Sequence, residues 1–235
     1  MPQGMTTTWC KLLLTLSWVV NMAWVSYQTD KFPPMTEADK QNNVSIIWEE
    51  LGAKGYTLEA VAAICGNMES EGIINPGQYE IGRNYDIYKY GAGLCGWTPV
   101  YVTGDSATHL GNWCDSQGLN WLDGDSQLAY LHYELTEWGG TERFFRNSQA
   151  PKCGYPTNPP ITAKEFITST ESVQDLAAYW MLYYEHPASP KSSIAARKAN
   201  AEKWYEYLSG QPTPPAPPTP IQVGKLPIWM MMRPF

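Results

Sequence analysis

The stretch Gly66-Asn67-Met68-Glu69-Ser70-Glu71-Gly72-Ile73-Ile74-Asn75-Pro76 decides how the rest of the chain is organised. Upstream of it, Leu58, Val61, Ala62, Ile64 and Cys65 predict a helix that is apolar almost all round and therefore buried. Thr57 is placed to cap its start, with Glu59 favouring its positive end. Gly72 stops the helix, and Asn75-Pro76-Gly77 is a turn that Asn75 is expected to hold. Two acids, Glu69 and Glu71, thus sit at the end of a buried helix. A carboxyl group half walled by Ile64, Met68 and Ile73 would retain its proton and suit general-acid chemistry. The two acids lie about 200° apart around a helix axis, so only one of them can face a given cleft. From the residues alone the alternative is an ordinary solvated glutamate at a helix end.

Downstream, residues 78–99 carry Gly82, Gly91, Gly93 and Gly96 among Tyr79, Tyr85, Tyr88, Tyr90 and Trp97, and Pro99 closes the segment. Helix is excluded, and a small irregular β-hairpin lobe is predicted. Tyr79, Tyr85, Tyr90 and Trp97 are candidates to stack on sugar rings or to pack the lobe onto the helices, since such rings offer flat apolar faces with a polar tip. Glu80 and Asp86 lie in the same segment. Each is a candidate second carboxylate beside Glu71, or a solvated loop residue.

Helices are expected on both sides. One spans residues 37–55 with Val44, Ile47, Trp48 and Leu51 on its apolar face. Asp105 or Ser106 is placed to cap a helix through Cys114, Asp125 one with Leu128, Leu131 and Leu135, Thr162 a short one, and Ser172 one with Leu176 and Trp180. A last helix runs from about Lys191 to Leu208. The fold class is α+β, predominantly helical. A main domain covers residues 37–210, preceded by an apolar extension (1–36) and followed by a Pro-rich linker (211–220) and an apolar tail (221–235). The run Leu12–Val25 is short for a spanning helix, which needs about 20 apolar residues. It is read as a docking segment or a membrane-active one. The tail, carried on a stiff polyproline-type stalk, is read as docking to a partner, with membrane contact and disorder as the alternatives.

Composition narrows the function. The 235 residues carry a net charge of −7 and no basic run, which argues against nucleic-acid binding. Eleven Trp and 15 Tyr fit a sugar groove or an adhesive interface. The five cysteines show no Cys-x-x-Cys, and the three histidines are scattered, so no metal site is expected and no cofactor is called for. Cys65 and Cys95 flank the key stretch as a candidate disulfide, with buried free thiols as the alternative.

Gly66–Pro76, followed by Gly93-Leu94-Cys95-Gly96-Trp97-Thr98-Pro99, resembles the bacteriophage tail lysozyme family. The run Ala178–Pro187 and the closing Arg197, Ala201, Trp204 and Tyr205 are also similar to it, so the resemblance covers roughly residues 40–210. It implies a lysozyme-like domain whose sugar cleft lies between the helices and the hairpin lobe. It further implies a virion-borne muramidase at the tail tip, attached to other tail proteins, that opens peptidoglycan during genome entry. A structural plug or adaptor at the tail tip that only binds glycan is the alternative. Glu71 matches the family's catalytic glutamate, and Thr98 matches a position that donates a hydrogen bond in the cleft.

Overall fold

The computed structural model describes residues 22–105, 107–137, 143–187 and 189–215. The apolar run before residue 22, the Trp138–Gly140 segment and the tail beyond Pro215 lie outside the described residues.

The predominantly helical prediction holds. Helix α1 (Glu37–Gly52) opens on a capping box. The Thr36 N–H donates to the Asp39 carboxylate (2.8 Å), and the Asp39 N–H donates back to Thr36 Oγ1 (3.2 Å). Val44, Ile47 and Leu51 of α1 are fully buried against α2 (Leu58–Gly72). In α2 the Thr57 hydroxyl accepts from the Ala60 N–H, and every residue from Ala60 to Met68 is buried. This helix is the core. It packs most extensively on α7 (Pro190–Ser209), then on α6 (Val173–Tyr179) and α1. The α2–α7 approach is possible because Gly66 has no side chain, since a Cβ there would lie 2.5 Å from the Ala201 backbone nitrogen.

On the other side stand α3 (Leu110–Gln117), α4 (Gly124–Thr136) and the short α5 (Ala163–Ile167). Helix α5 begins at the expected Thr162, again with a capping box. Helix α3 starts later than expected because the Asp105 carboxylate is used just before it, accepting from the backbone N–H groups of Thr108 and His109. Helix α4 starts after Asp123 rather than at Asp125, whose carboxylate takes the Trp24 indole N–H (2.7 Å).

The expected hairpin is replaced by turns. Residues 78–99 form no strand ladder, only isolated bridges from Tyr79 to Ala92 and from Ala92 to Trp97. Their backbone groups are satisfied elsewhere. The Leu94 N–H donates to the buried Gln127 side chain of α4, whose amide in turn donates to the carbonyls of Pro76 and Trp121. Gln127 therefore clamps the turn segment to the helices.

The domain also begins earlier than residue 37. Residues 22–31 lie along it as an extended strap: Asn43 exchanges two hydrogen bonds with Val25, Asn75 two with Tyr27, and Thr29 bridges Gln78. At the other end, the start of the Pro-rich segment is docked rather than free, since the Trp48 indole donates to the Pro212 carbonyl (3.1 Å). Cys65 and Cys95 are both buried free thiols, so the candidate disulfide is not formed. Among the described residues no helix is long and apolar enough to cross a membrane.

Candidate active site

Helix α2 delivers its two terminal acids to different places. The Glu69 carboxylate turns toward α1 and α7, where it accepts from Lys40 Nζ (2.7 Å), Lys203 Nζ (2.8 Å) and the Trp204 indole (2.9 Å). Burial would push it up, but Lys203 and Lys40 outweigh that and hold it below the usual carboxylate range. It is a tie between helices. Glu71 points the other way, into a groove, with its side chain 31% exposed.

Two hollows make that groove, and Glu71, Gly96 and Thr98 line both. The larger, about 580 Å³, runs between the 95–99 turn, α4 and the end of α6. The smaller, about 310 Å³, is lined by Gln78, Tyr79, Glu80 and Ile81. Both fall in the size range of small-ligand sites, about 300–1,000 Å³. Gly96, at φ +61°, covers the Glu71 carboxyl so closely that a Cβ would lie 3.3 Å from Glu71 Oε2. The chain leaves the site through Ile73 and Ile74, both in the left-handed region (φ 58° and 57°). For β-branched residues this conformation costs about 1–3 kcal/mol each. Asn75 holds that turn as expected, its side chain bonded to the Tyr27 backbone.

The surroundings of Glu71 differ from the expected apolar wall. Ile64 and Met68 are wholly buried, whereas the Glu71 carboxylate is ion-paired with Arg197 of α7. Arg197 is 4% exposed and also pairs with Glu185, while donating to Asn67 Oδ1 (2.9 Å). Asn67 and Glu71 are one helical turn apart on one face of α2, which is why both reach the same guanidinium. Glu185 ends a wide π-helical turn, Trp180–Glu185, that continues α6, and its Oε1 accepts from the Trp180 indole (3.0 Å). Burial pushes the Glu185 carboxyl up, against the opposing pull of Arg197.

The far wall of the larger hollow is built around Glu134 of α4, whose side chain is fully buried. It accepts from the Trp97 indole (2.9 Å), the Tyr184 hydroxyl (2.5 Å) and Arg143. At its rim, Asp105 holds the His109 ring by Nδ1 (3.0 Å). Hydrogen bonds from Thr108 and His109 keep the Asp105 carboxyl well below the usual range despite the upward push of burial.

Among the residues singled out from the sequence, the structure brings Glu71, Tyr79, Glu80, Trp97 and Thr98 to the groove. Trp97 enters as a buried wall, edge-on to Tyr130, rather than as an open platform. Glu80 is tied to Arg83 (3.0 Å) and to the Gly91 N–H. Asp86, Tyr85 and Tyr90 line neither hollow. Asp86 accepts from the Tyr88 N–H, Tyr85 packs edge-on against Tyr79, and Tyr90 lies under Arg83 and Lys89. Glu134, Arg143, His109 and the pairing of Arg197 with two carboxylates were not found from the sequence. Glu185 and Arg197 fall inside the patterns quoted above, but no local signal gives their roles.

Comparison with known proteins gives the family. The family model described as phage tail lysozyme matches residues 42–208. The chain is also 32% identical over 188 residues to "Morphogenesis protein 1" of Bacillus phage B103, an alignment that covers 79% of this chain and 43% of that relative. The chain thus spans less than half the length of that relative. With the match extending over most of the helical domain, this chain belongs to the phage tail lysozyme family.

Proposed function

We propose that the protein is a virion-associated glycosidase that cuts the glycan strands of peptidoglycan, with Glu71 as the general acid. The observation that carries this is the place of Glu71: among the described residues it is the one acid common to both hollows, so a glycan laid along the groove would cross it. Cleavage of a glycosidic bond needs a proton for the leaving oxygen and negative charge, or an activated water, for the sugar carbon. Glu71 supplies the first. Glu80 is better placed than Asp86 for the second, because of these two only Glu80 shares a hollow with Glu71. The clamped 78–99 segment takes the part of the small lobe across the cleft, and Thr98 offers its hydroxyl at the midpoint. The name of the phage relative and the family description support a place in the phage tail, where cutting would open the wall locally during genome entry. Attachment to neighbouring tail proteins falls to the extensions at either end of the domain.

The test uses the purified full chain on a suspension of cell walls. The expected result is clearing, with release of new reducing ends or of anhydro-sugar ends, the latter denoting a transglycosylase. Glu71→Gln should lower the rate by about 10²–10⁴-fold while remaining folded. Full activity in that variant removes Glu71 from the mechanism. Glycan binding by the parent chain without any new ends assigns the protein an adaptor role.

A further inference from the structure

The chemistry proposed for Glu71 requires it to carry a proton, yet the structure pairs it with the guanidinium of Arg197. The structure holds a second feature that resolves this. Arg197 faces two carboxyl groups, Glu71 at the groove and Glu185 behind it, and the Glu185 side chain is only 6% exposed. One fixed positive charge against the buried Glu185 and the solvent-facing Glu71 is neutral only when one of the two is protonated. Two ionised carboxylates sharing a single cation in a poorly solvated site are unfavourable. The other groups facing Glu185 are the Trp180 indole from its own turn and the Cys95 thiol from the 95–99 turn.

We infer that Glu185 is a positioning residue for catalysis: Glu71, Arg197 and Glu185 share one proton, and Glu185 takes over the Arg197 charge whenever Glu71 is protonated. Two arrangements have the same composition and the same charge. In one, Glu185 carries the proton and Arg197 pairs with the Glu71 carboxylate. In the other, Glu71 carries the proton and Arg197 pairs with the Glu185 carboxylate. Arg197 is built to serve both, because its two Nη groups already reach both acids, while its Nε has no partner among the described residues. Asn67 holds the guanidinium from a third side. Burial raises the Glu185 carboxyl, which favours keeping a proton within the cluster. When Glu71 gives its proton to the leaving oxygen it becomes a carboxylate, and Arg197 is at hand to pair with it. The next proton enters from solvent in the groove.

This inference rests on Glu71 being the acid, and the experiment separates the two. In Glu185→Gln the only anion left for Arg197 among the described residues is Glu71, which is then held ionised. The alkaline limb of the pH–rate profile should move down by about one pH unit or more. At neutral pH kcat should fall, with KM little changed, and Glu185→Asp should restore the limb. A limb that superposes on that of the parent chain, or a uniform loss at every pH, overturns the proton-sharing role while leaving Glu71 in place. Full activity of Glu71→Gln instead overturns the underlying mechanism. Infrared spectroscopy of the unmodified full chain provides a second measurement should Glu185→Gln fail to fold. A protonated carboxyl band persisting near neutral pH is expected, and its absence overturns the inference.

Discussion

Substituting Ala for Gly66 sets two effects of opposite sign against each other. In an isolated helix, Gly→Ala gains about 1 kcal/mol. Gly66 lies inside α2, and none of its backbone geometry forbids Ala. Its position forbids it instead: the added methyl would lie 2.5 Å from the Ala201 backbone nitrogen, 2.7 Å from its Cα and 2.8 Å from its Cβ. Two of those three atoms are backbone, so no side chain can swing away. Ordinary contact requires α7 to retreat by about 1 Å, and overpacking of a tight core costs about 1–3 kcal/mol, sometimes more. At the contact between the two most extensively packed helices the cost falls in the upper part of that range, about 2–3 kcal/mol, so the net expectation is a loss of about 1–2 kcal/mol. With a urea slope of about 2 kcal/mol per M, the unfolding midpoint should drop by roughly 0.5–1 M. The damage should also reach the groove, because Arg197 lies one turn before Ala201 on α7. A displacement of about 1 Å at a positioned group can cost about 10²-fold in rate. Circular dichroism in urea and wall-clearing assays read the two consequences. An unchanged or raised midpoint would show that the helix-propensity gain prevails and that α2 and α7 do not meet at this distance.

Two further substitutions probe the ionic ties that hold the helices together. Glu134→Ala strips the acceptor from Arg143, the Trp97 indole and the Tyr184 hydroxyl at once, and should destabilise the fold by about 3–5 kcal/mol. A thermal melt showing a loss under 1 kcal/mol would contradict the buried network. Glu69 is held below the usual carboxylate range, so its contribution to stability is present above the unfolded-state value and fades as pH falls through the folded one. The gap in urea midpoint between the parent chain and Glu69→Gln should therefore be widest near neutral pH and close in acid. A gap independent of pH would mean that Lys40 and Lys203 contribute nothing through charge.

Much of the helical frame was legible because its signals are local. Thr57 and Thr162 cap helices where the sequence places caps, and the apolar run Ala60–Met68 reads as a buried helix because nothing polar interrupts it until Asn67. The separation of Glu69 from Glu71 followed from helical pitch alone. The hairpin did not follow, because strand signals describe a segment's own preferences, whereas Leu94 is satisfied by Gln127, 33 residues away. The partner of Glu71 was hidden for the same reason. Arg197 is 126 residues distant, and only the fold reveals that one guanidinium serves both Glu71 and Glu185. Asp105 and Asp125 were recognised as residues that start helices, but each carboxylate is spent on another group nearby.

The strap at residues 22–31 determines where this protein can be cut. A fragment beginning at the first helix would strip four hydrogen bonds from Asn43 and Asn75, leaving Asn43 its bond to the Ile74 carbonyl and Asn75 its bond from the Gly77 N–H, at about 0.5–1.5 kcal/mol for each bond lost. It would also remove the strand of backbone that Gln78 leans on, and Gln78 in turn accepts the Gly93 N–H beside the groove. The smallest piece able to hold the groove's shape therefore starts upstream of any helix, with residues that have no regular structure of their own.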